Sequence, residues 1–361
     1  MITISLCMIV KNEEDVLARC LDSVQKLADE MIIVDTGSED ATQEIARRYT
    51  DQVYQFEWID DFAAARNFSF SKATKDYILW LDADDILLPD DQKAFQQLKQ
   101  ELDPQTDLVM MRYQVAFDQQ GNPTFSYERE RLIRREKGYR WVGAIHEAIT
   151  PSGRLLHSPI TITHKKLHPS DPDRNLRIFE RLLARGETLE PRQQFYYARE
   201  LSAHKRYDEA AKQFTRFLND GQGWIENNIS ACLDLSECLI QLGQPEQAAQ
   251  ALLRSLVYDR PRAEICCALG GYFLGRQRYQ QAIYWYQQAR RCTPNAQSGG
   301  FVSPDCYGFI PEMQLCVCYD RLGDHETAAR YHRKAKRRKP EDASVRHNEQ
   351  YFRSLGRLTP L

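Results

Sequence analysis

The hydrophobic pattern of the chain changes character near its middle. In the first half, short apolar runs alternate with stretches whose apolar residues recur at helical spacing. Ile2 to Val10, Met31 to Val34 and Tyr77 to Leu81 are near-continuous apolar runs of strand length, each followed by an amphipathic segment. Runs of that kind fit strands covered on both faces, and their alternation with helical patterns predicts βαβ units and a mainly parallel sheet. Leu108 to Phe117 and Phe125 to Ile133 flank Gly121-Asn122-Pro123, a turn signal that predicts a later antiparallel excursion.

After about residue 190 the strand signal disappears, and a period of roughly 34 residues can be registered on small and aromatic positions. The clearest unit has Gly270, Tyr279, Ala282, Tyr286, Ala289 and Pro294. The next repeats these offsets as Leu315, Tyr319, Gly323, Ala328, Ala335 and Pro340, and an earlier one offers Ala198, Leu201, Tyr207, Ala210 and Phe214. A weaker copy lies at Gly243 and Ala248. The marker alanines Ala210, Ala248, Ala282 and Ala328 are spaced 38, 34 and 46 apart, so the last gap predicts an inserted loop at Asn295 to Pro304. These units resemble tetratricopeptide repeats, in which small residues let paired helices approach closely. An irregular helical bundle is the alternative. The expected organisation is an α/β domain over 1–166, a linker and helix over 167–190 containing Pro169 and Pro172, and a repeat domain over 191–361.

Length agrees with two domains, since 361 residues exceed one ordinary core. Lys and Arg number 48 against 51 Asp and Glu, a formal charge of -3, so no global field points to nucleic acid or an anionic membrane. The N-terminal run lacks the basic leader and cleavage site of a signal peptide, and no run approaches the ~20 apolar residues of a membrane helix. A cytoplasmic protein without a membrane span is expected. Ten scattered cysteines, including adjacent Cys266-Cys267, then read as free thiols, and Cys316-Val317-Cys318 lacks the spacing and partner pair of a zinc site.

The chemistry concentrates at the ends of the apolar runs. Asp82-Ala83-Asp84-Asp85 follows the strand Tyr77 to Leu81, where open α/β sheets bind ligands. Carboxylates one residue apart can reach a hard divalent cation, Mg2+ or Mn2+, that also holds a diphosphate. Taken alone, such an acidic pair is more often a solvated turn. Val10-Lys11-Asn12-Glu13 closes the first strand and offers an amide and a carboxylate to a base and ribose. Asp35-Thr36-Gly37-Ser38 closes the second, with Asp35 as acceptor and Ser38 as a helix cap. Arg66 and Asn67, on the alanine-rich helix Phe62-Ala63-Ala64-Ala65-Arg66-Asn67, offer a guanidinium matched to phosphate, against the alternative of an ordinary helix-face arginine.

In this order the segments Cys7 to Glu13, Ile33 to Asp40 and Leu81 to Asp84 resemble the nucleotide-binding half of inverting family 2 glycosyltransferases over about residues 2 to 115. That resemblance implies a GT-A (Rossmann-like) fold and a nucleotide-sugar site at Val10, Asn12, Glu13, Asp35, Ser38, Arg66, Asn67, Asp82, Ala83 and Trp141. It also implies a cation on Asp82 and Asp84. Phe62 to Asn67 resembles a segment shared by sublancin-type peptide S-glycosyltransferases and lipopolysaccharide-core glucosyltransferases. In these relatives a Gly-x-x-His-Glu segment, here Gly143 to Glu147 after Trp141, lies on the acceptor side. Displacement at an anomeric carbon needs a base, and Glu147 is the first choice, with His146 second. His164, after the apolar strand ending Thr161-Ile162-Thr163, becomes a third metal ligand or else a surface histidine. His157 and His168 read as solvated.

A transferase domain joined to a concave repeat surface implies a peptide or protein acceptor, or assembly with a second copy through that half. The sublancin-type relatives share the arrangement and move glucose from UDP-glucose to a cysteine thiol. The first strand starts directly after Met1, so no N-terminal extension is expected here. A UDP-linked hexose is the expected donor, with inversion at the anomeric carbon. A lipid-linked or cell-surface polysaccharide acceptor, and a non-catalytic repeat scaffold with a nucleotide-binding front, are the competing readings. The basic run Arg330 to Lys339 could steer an acidic acceptor, but a solvated last helix is the simpler account.

Overall fold

The computed structural model describes residues 1–117, 121, 123–167, 171–294 and 299–356. Asn122 of the expected turn, His168 and Pro169 of the linker, and 295–298 of the inserted loop lie outside the described residues. The chain divides into two compact units, Met1–Thr188 and Leu189–Leu361.

The first unit opens with β1 (Ile4–Val10), α1 (Leu17–Val24), β2 (Glu30–Asp35), α2 (Thr42–Arg47), β3 (Val53–Gln55), α3 (Phe62–Lys72) and β4 (Tyr77–Trp80). It continues with β5 (Asp85–Ile86), α4 (Pro89–Glu101), β6 (Leu108–Phe117), β7 (Pro123–Arg134), β8 (Leu155–His164) and α5 (Arg174–Ala184). One eight-stranded sheet runs in the order β3-β2-β1-β4-β7-β6-β8-β5. Its leading four strands are parallel, and three of them, β1, β2 and β4, have the near-unbroken apolar character expected of strands covered on both faces. Beyond β4 the sheet becomes mixed. β7 runs antiparallel to β4 and β6, β8 returns parallel to β6, and β5 pairs antiparallel with β8. The core follows from the sequence runs: Ile4, Leu6, Leu17, Leu21, Ile33, Leu79 and Phe95 are all fully buried.

Helix α5 falls in the stretch expected to be linker, yet it lies within the first unit. Leu176, Ile178, Phe179 and Leu182 bury one of its faces. Arg181 ties it to Asp60 at 2.7 Å, and the Arg174 guanidinium lies 4.9 Å from the Phe62 ring centre.

The second unit is helical: α6 (Pro191–Ala203), α7 (Tyr207–Asp220), α8 (Ile225–Gln241), α9 (Pro245–Arg254), α10 (Ala263–Gly275), α11 (Tyr279–Ala289), α12 (Phe309–Arg321), α13 (His325–Arg338) and α14 (Ala343–Ser354). Helices pack in sequential pairs, α6 with α7, α8 with α9, α10 with α11 and α12 with α13. The marker alanines Ala210, Ala248, Ala282 and Ala328 are all buried, on the second helix of each pair. The basic run sits on α13, which is not the last helix, and much of it is paired: Lys336 with Glu349, Arg338 with Glu312, Lys339 with Asp305. All ten cysteines are free thiols.

Gly270 shows why the period carries small residues. A methyl group there would sit 2.6 Å from the ring of Tyr286, which is itself buried at the α10–α11 contact. Gly270→Val is therefore expected to overpack this pair and to lower stability by about 2–3 kcal/mol, since forced methyl groups in a tight core cost roughly 1–3 kcal/mol. Thermal melting followed at 222 nm checks this, and a midpoint equal to that of the unaltered chain would contradict the packing account.

Candidate active site

Because β1, β2 and β4 are parallel, Val10, Asp35 and Trp80 end on the same edge of the sheet. Ligands bind outside this edge in open α/β folds. The loops leaving β1 and β2 are stitched together there. The Asn12 N–H donates to Ser38 Oγ at 2.9 Å, Asn12 Oδ1 accepts from the Glu39 N–H at 2.8 Å, and the Glu13 N–H donates to Thr42 Oγ1 at 2.7 Å. These bonds hold Asn12 in a left-handed backbone, φ +53°. Ser38 therefore ties the two loops and does not cap a helix: α2 begins at Thr42, and Asp40 accepts from the Thr42 N–H instead. Val10 contributes a buried side chain, and its carbonyl is taken by the Thr36 N–H and hydroxyl.

Asp35 is more informative. Its Oδ1 accepts from the Gly37 and Ser38 N–H groups and from Gln43 Nε2, each at 3.0 Å. Gly37, at φ +103°, supplies the backbone that this turn needs. Asp35 Oδ2 is buried without a hydrogen-bond partner. Buried acceptors are rarely left so, and one at a sheet mouth fits the N–H of a nucleobase.

The acidic run after β4 separates into two roles. Asp82 turns toward α3, where its Oδ1 meets Arg66 Nη2 at 2.7 Å, while Arg66 Nε meets Glu147 Oε1 at 2.6 Å. The guanidinium also lies 5.0 Å and 4.9 Å from the ring centres of Trp80 and Trp141. Burial disfavours charge on these groups, but their mutual attraction outweighs it: Arg66 stays protonated, and Asp82 is held down to about 2 by Arg66 and Arg131. Asn67, one residue on, grips the backbone of Trp141 from both sides, donating to its carbonyl and accepting from its N–H, both at 2.9 Å. Its amide positions Trp141. Trp141 in turn packs edge-on to Trp80 with centroids 4.8 Å apart, its indole N–H lacking a partner.

Asp84 turns the other way, toward the expected His164. The third member of that cluster is Asp85, not Asp82: single ligand atoms of Asp84, Asp85 and His164 lie within 4.8 Å of one another. The correction has a topological cause. Asp85 starts β5 and sits directly across from His164 on β8. His164 Nδ1 is 3.2 Å from Asp84 Oδ1, 3.3 Å from Asp85 Oδ1 and 3.0 Å from the Tyr113 hydroxyl. Burial opposes its charge, yet hydrogen bonds to Asp84 and Asp85 lift the ring to about 10. Asp85 is fully buried because Arg131, also fully buried, meets its Oδ2 at 3.0 Å from between Trp80 and Tyr113. Two carboxylate oxygens and one imidazole nitrogen, once an arriving cation has displaced its proton, fit a divalent metal, with the nitrogen favouring Mn2+ over Mg2+. Asp84 is the carboxylate of this group that reaches solvent. Ala83 between Asp82 and Asp84 is buried.

The segment Trp141 to Glu147 is a loop pinned by a single Val142–Ala148 bridge. Gly143 at φ +98° and His146 at φ +53° bend it tightly. Glu147 thereby faces Arg66 and the Asp82 side of the mouth, whereas the His146 ring stacks on Phe179 of α5, centroids 6.4 Å apart and planes at 19°. His157 is half exposed and pairs with Glu128 at 2.7 Å. Sequence spacing does not single out Asp85, Arg131 or Tyr113. Asp85 stands inside the acidic run, but nothing in the chain order marks which strand it would face.

Arg66→Met is expected to destabilise the first unit by about 3 kcal/mol at pH 7, because it leaves two half-buried carboxylates without their cation. Asp82 has a folded pKa near 2, below its ordinary 3.8, so its pairing stabilises above that ordinary value and is lost as pH falls toward 2. The deficit of Arg66→Met should therefore hold from pH 7 down to about 4 and shrink as pH drops from 3.8 toward 2. Urea denaturation across that range checks it, and a deficit independent of pH would argue against the ion pairs.

Residues 5–160 match the family model described as glycosyl transferase family 2. A TPR repeat-containing protein of Synechococcus elongatus is 38% identical over 153 residues, covering 42% of this chain and 36% of that protein. The SPbeta prophage-derived glycosyltransferase SunS of Bacillus subtilis is 26% identical over 231 residues, covering 60% of this chain and 54% of SunS. The lipopolysaccharide core biosynthesis glycosyltransferase LpsC of Rhizobium meliloti is 28% identical over 163 residues, covering 42% of this chain and 58% of LpsC. The chain thus spans less than two thirds of the length of each of these relatives. With the match covering the mouth-forming strands and the acidic run Asp82 to Asp85 and ending before His164, residues 5–160 form a domain that matches glycosyl transferase family 2 and has a GT-A-like mixed sheet, followed by a helical unit similar to tetratricopeptide repeats.

Proposed function

We propose that this chain is a glycosyltransferase that moves a hexose from a nucleotide diphosphate sugar, UDP-linked, to a polypeptide acceptor with inversion at the anomeric carbon. The observation that carries the reading is the pairing, on one sheet edge, of a spare buried acceptor on Asp35 with the Asp84–Asp85–His164 cluster. Asp35 Oδ2 would take a base N–H, and the cluster would hold Mn2+ or Mg2+. A cation bound there neutralises the diphosphate and so favours its departure. Asp84 and His164 would orient it, while Arg131 holds the Asp85 carboxylate in place at 3.0 Å. Arg66 lines the same mouth and can share its guanidinium with a phosphate oxygen.

The acceptor must lose a proton as its oxygen or sulfur attacks. In this reading Glu147 receives it, supported by its facing the Asp82 side of the mouth, whereas His146 stacks on Phe179. The polypeptide acceptor is supported by the helical unit after the transferase domain and by the likeness to SunS. Transfer to a glycan is the second reading, favoured by the likeness to LpsC. No helix among the described residues is long and apolar enough to cross a membrane.

Purified chain supplied with Mn2+ and a panel of nucleotide sugars should release nucleotide diphosphate from one of them. Asp84→Asn is expected to cut that release by roughly 100-fold or more and to weaken Mn2+ binding seen by electron paramagnetic resonance, as loss of a charged ligand should. Unchanged release and unchanged Mn2+ binding would remove the cation assignment.

Glu147→Gln keeps a hydrogen-bond acceptor for Arg66 but cannot take a proton. It should lower kcat by about 10²–10⁴ with little change in KM for the donor, while His146→Gln stays within about tenfold of the unaltered chain. The reverse order would pass the base role to His146. Mass spectrometry of peptide and glycan acceptors after the reaction separates the two readings.

A further inference from the structure

The repeat spacing that lengthens to 46 between Ala282 and Ala328 has a structural counterpart that sugar transfer does not use. The inserted segment between α11 and α12 returns onto the face made by the first helices of successive pairs. Its Phe301 ring lies 4.9 Å from the Arg199 guanidinium of α6. Its Ser303 N–H donates to Glu264 Oε1 of α10 at 2.7 Å, and the Tyr307 hydroxyl donates to the other oxygen of Glu264 at 3.1 Å. Gly299, at φ +71°, and Gly300 let the backbone lie against the start of α8. A methyl group at Gly300 would fall 2.2 Å from Glu226 Oε2 and would push that carboxylate off Arg262, which it meets at 2.8 Å. The segment thus crosses three helices, with small residues where the wall is close and an aromatic ring beside a guanidinium.

It fills the face incompletely. Between segment and helices remains a cavity of about 200 Å³, floored by Ile229, Leu233 and Ile265. In its wall Asp234 Oδ2 has only a 3.4 Å ion pair with Arg199, and Arg262 Nε is buried without a hydrogen-bond partner. Two such under-satisfied groups in a cavity with apolar lining are what the N–H and C=O of a polypeptide backbone would complete. Phe301 itself is 47% exposed, so its departure uncovers little core.

We propose that this face is a docking groove for an extended polypeptide segment of the pattern small-small-aromatic-aliphatic-hydroxyl, and that Gly299–Ser303 is an internal occupant which such a segment replaces. The groove's chemistry selects the occupant: Arg199 takes the ring, Glu264 takes a backbone N–H two positions later, and the space between Glu226 and Trp224 admits only small residues. Docking requires neither donor nor cation, so it stands or falls separately from the transferase reading.

The test uses the full chain and a fluorescent heptapeptide Gly-Gly-Phe-Val-Ser-Pro-Asp, copied from residues 299–305. Phe301→Ala, which weakens the internal occupant, should bind this peptide at least tenfold more tightly than the unaltered chain by fluorescence anisotropy. Adding Arg199→Ala should abolish the gain, and a peptide with alanine in place of phenylalanine should bind neither chain. In the unaltered chain, saturating peptide should speed hydrogen exchange at the Ser303 amide, a readout that does not depend on any variant folding. Equal affinity of the two chains, or unchanged exchange at Ser303 under saturation, would overturn internal occupancy. Absence of binding to either chain would overturn the groove.

Discussion

The fully buried ion pair between Arg131 and Asp85 is the constraint on which the mouth of the first unit depends. Two charges removed from water are tolerated only with close geometry and further polar partners. Asp85 has these: the oxygen that meets Arg131 also takes the Asp82 N–H at 3.1 Å, and the other faces His164. Folding the Asp85 side chain back under the turn leaves Asp82 and Asp84 to diverge, one toward α3 and the other toward β8. The division of the acidic run into a guanidinium-bound carboxylate and a ligand cluster is therefore a consequence of where one arginine is buried. Trp80 and Tyr113, stacked on either side of Arg131, supply the low-polarity walls that make this pairing strong.

Much of this architecture is legible in the chain. The parallel strands can be read because an apolar run without alternation is what a strand covered on both faces requires. The repeat can be read because Ala210, Ala248, Ala282 and Ala328 each sit where two helices touch. Asp35, Asp84 and His164 stand out because local sequence sets their positions at strand ends. What escapes is whatever depends on pairing between distant segments. The register that brings Asp85 opposite His164 joins residues 79 apart in sequence, and Arg131 reaches Asp85 from a strand that enters the sheet only after the antiparallel excursion. Local spacing carries no information about such pairings, and so it points to Asp82 as a ligand.

The same distinction accounts for Asn12, Ser38 and Asn67. Polar side chains at strand ends or on apolar helices are conspicuous in the sequence, and each of these three does lie at the mouth. Their hydrogen-bonding capacity is used between protein segments: Asn12 and Ser38 hold two loops in register, and Asn67 fixes the backbone of Trp141. They shape the site by limiting the freedom of the groups that face it, which is how a binding cleft gains preorganisation.

Arg66 stands at the junction of these arrangements. Its guanidinium is planar and remains charged, so in a buried place it must have anionic partners, and Asp82 and Glu147 provide them. A third anion entering the mouth competes with these carboxylates for the same donors. Whatever share of Arg66 it takes is withdrawn from Asp82 and Glu147, so one side chain joins the two sides of the cleft.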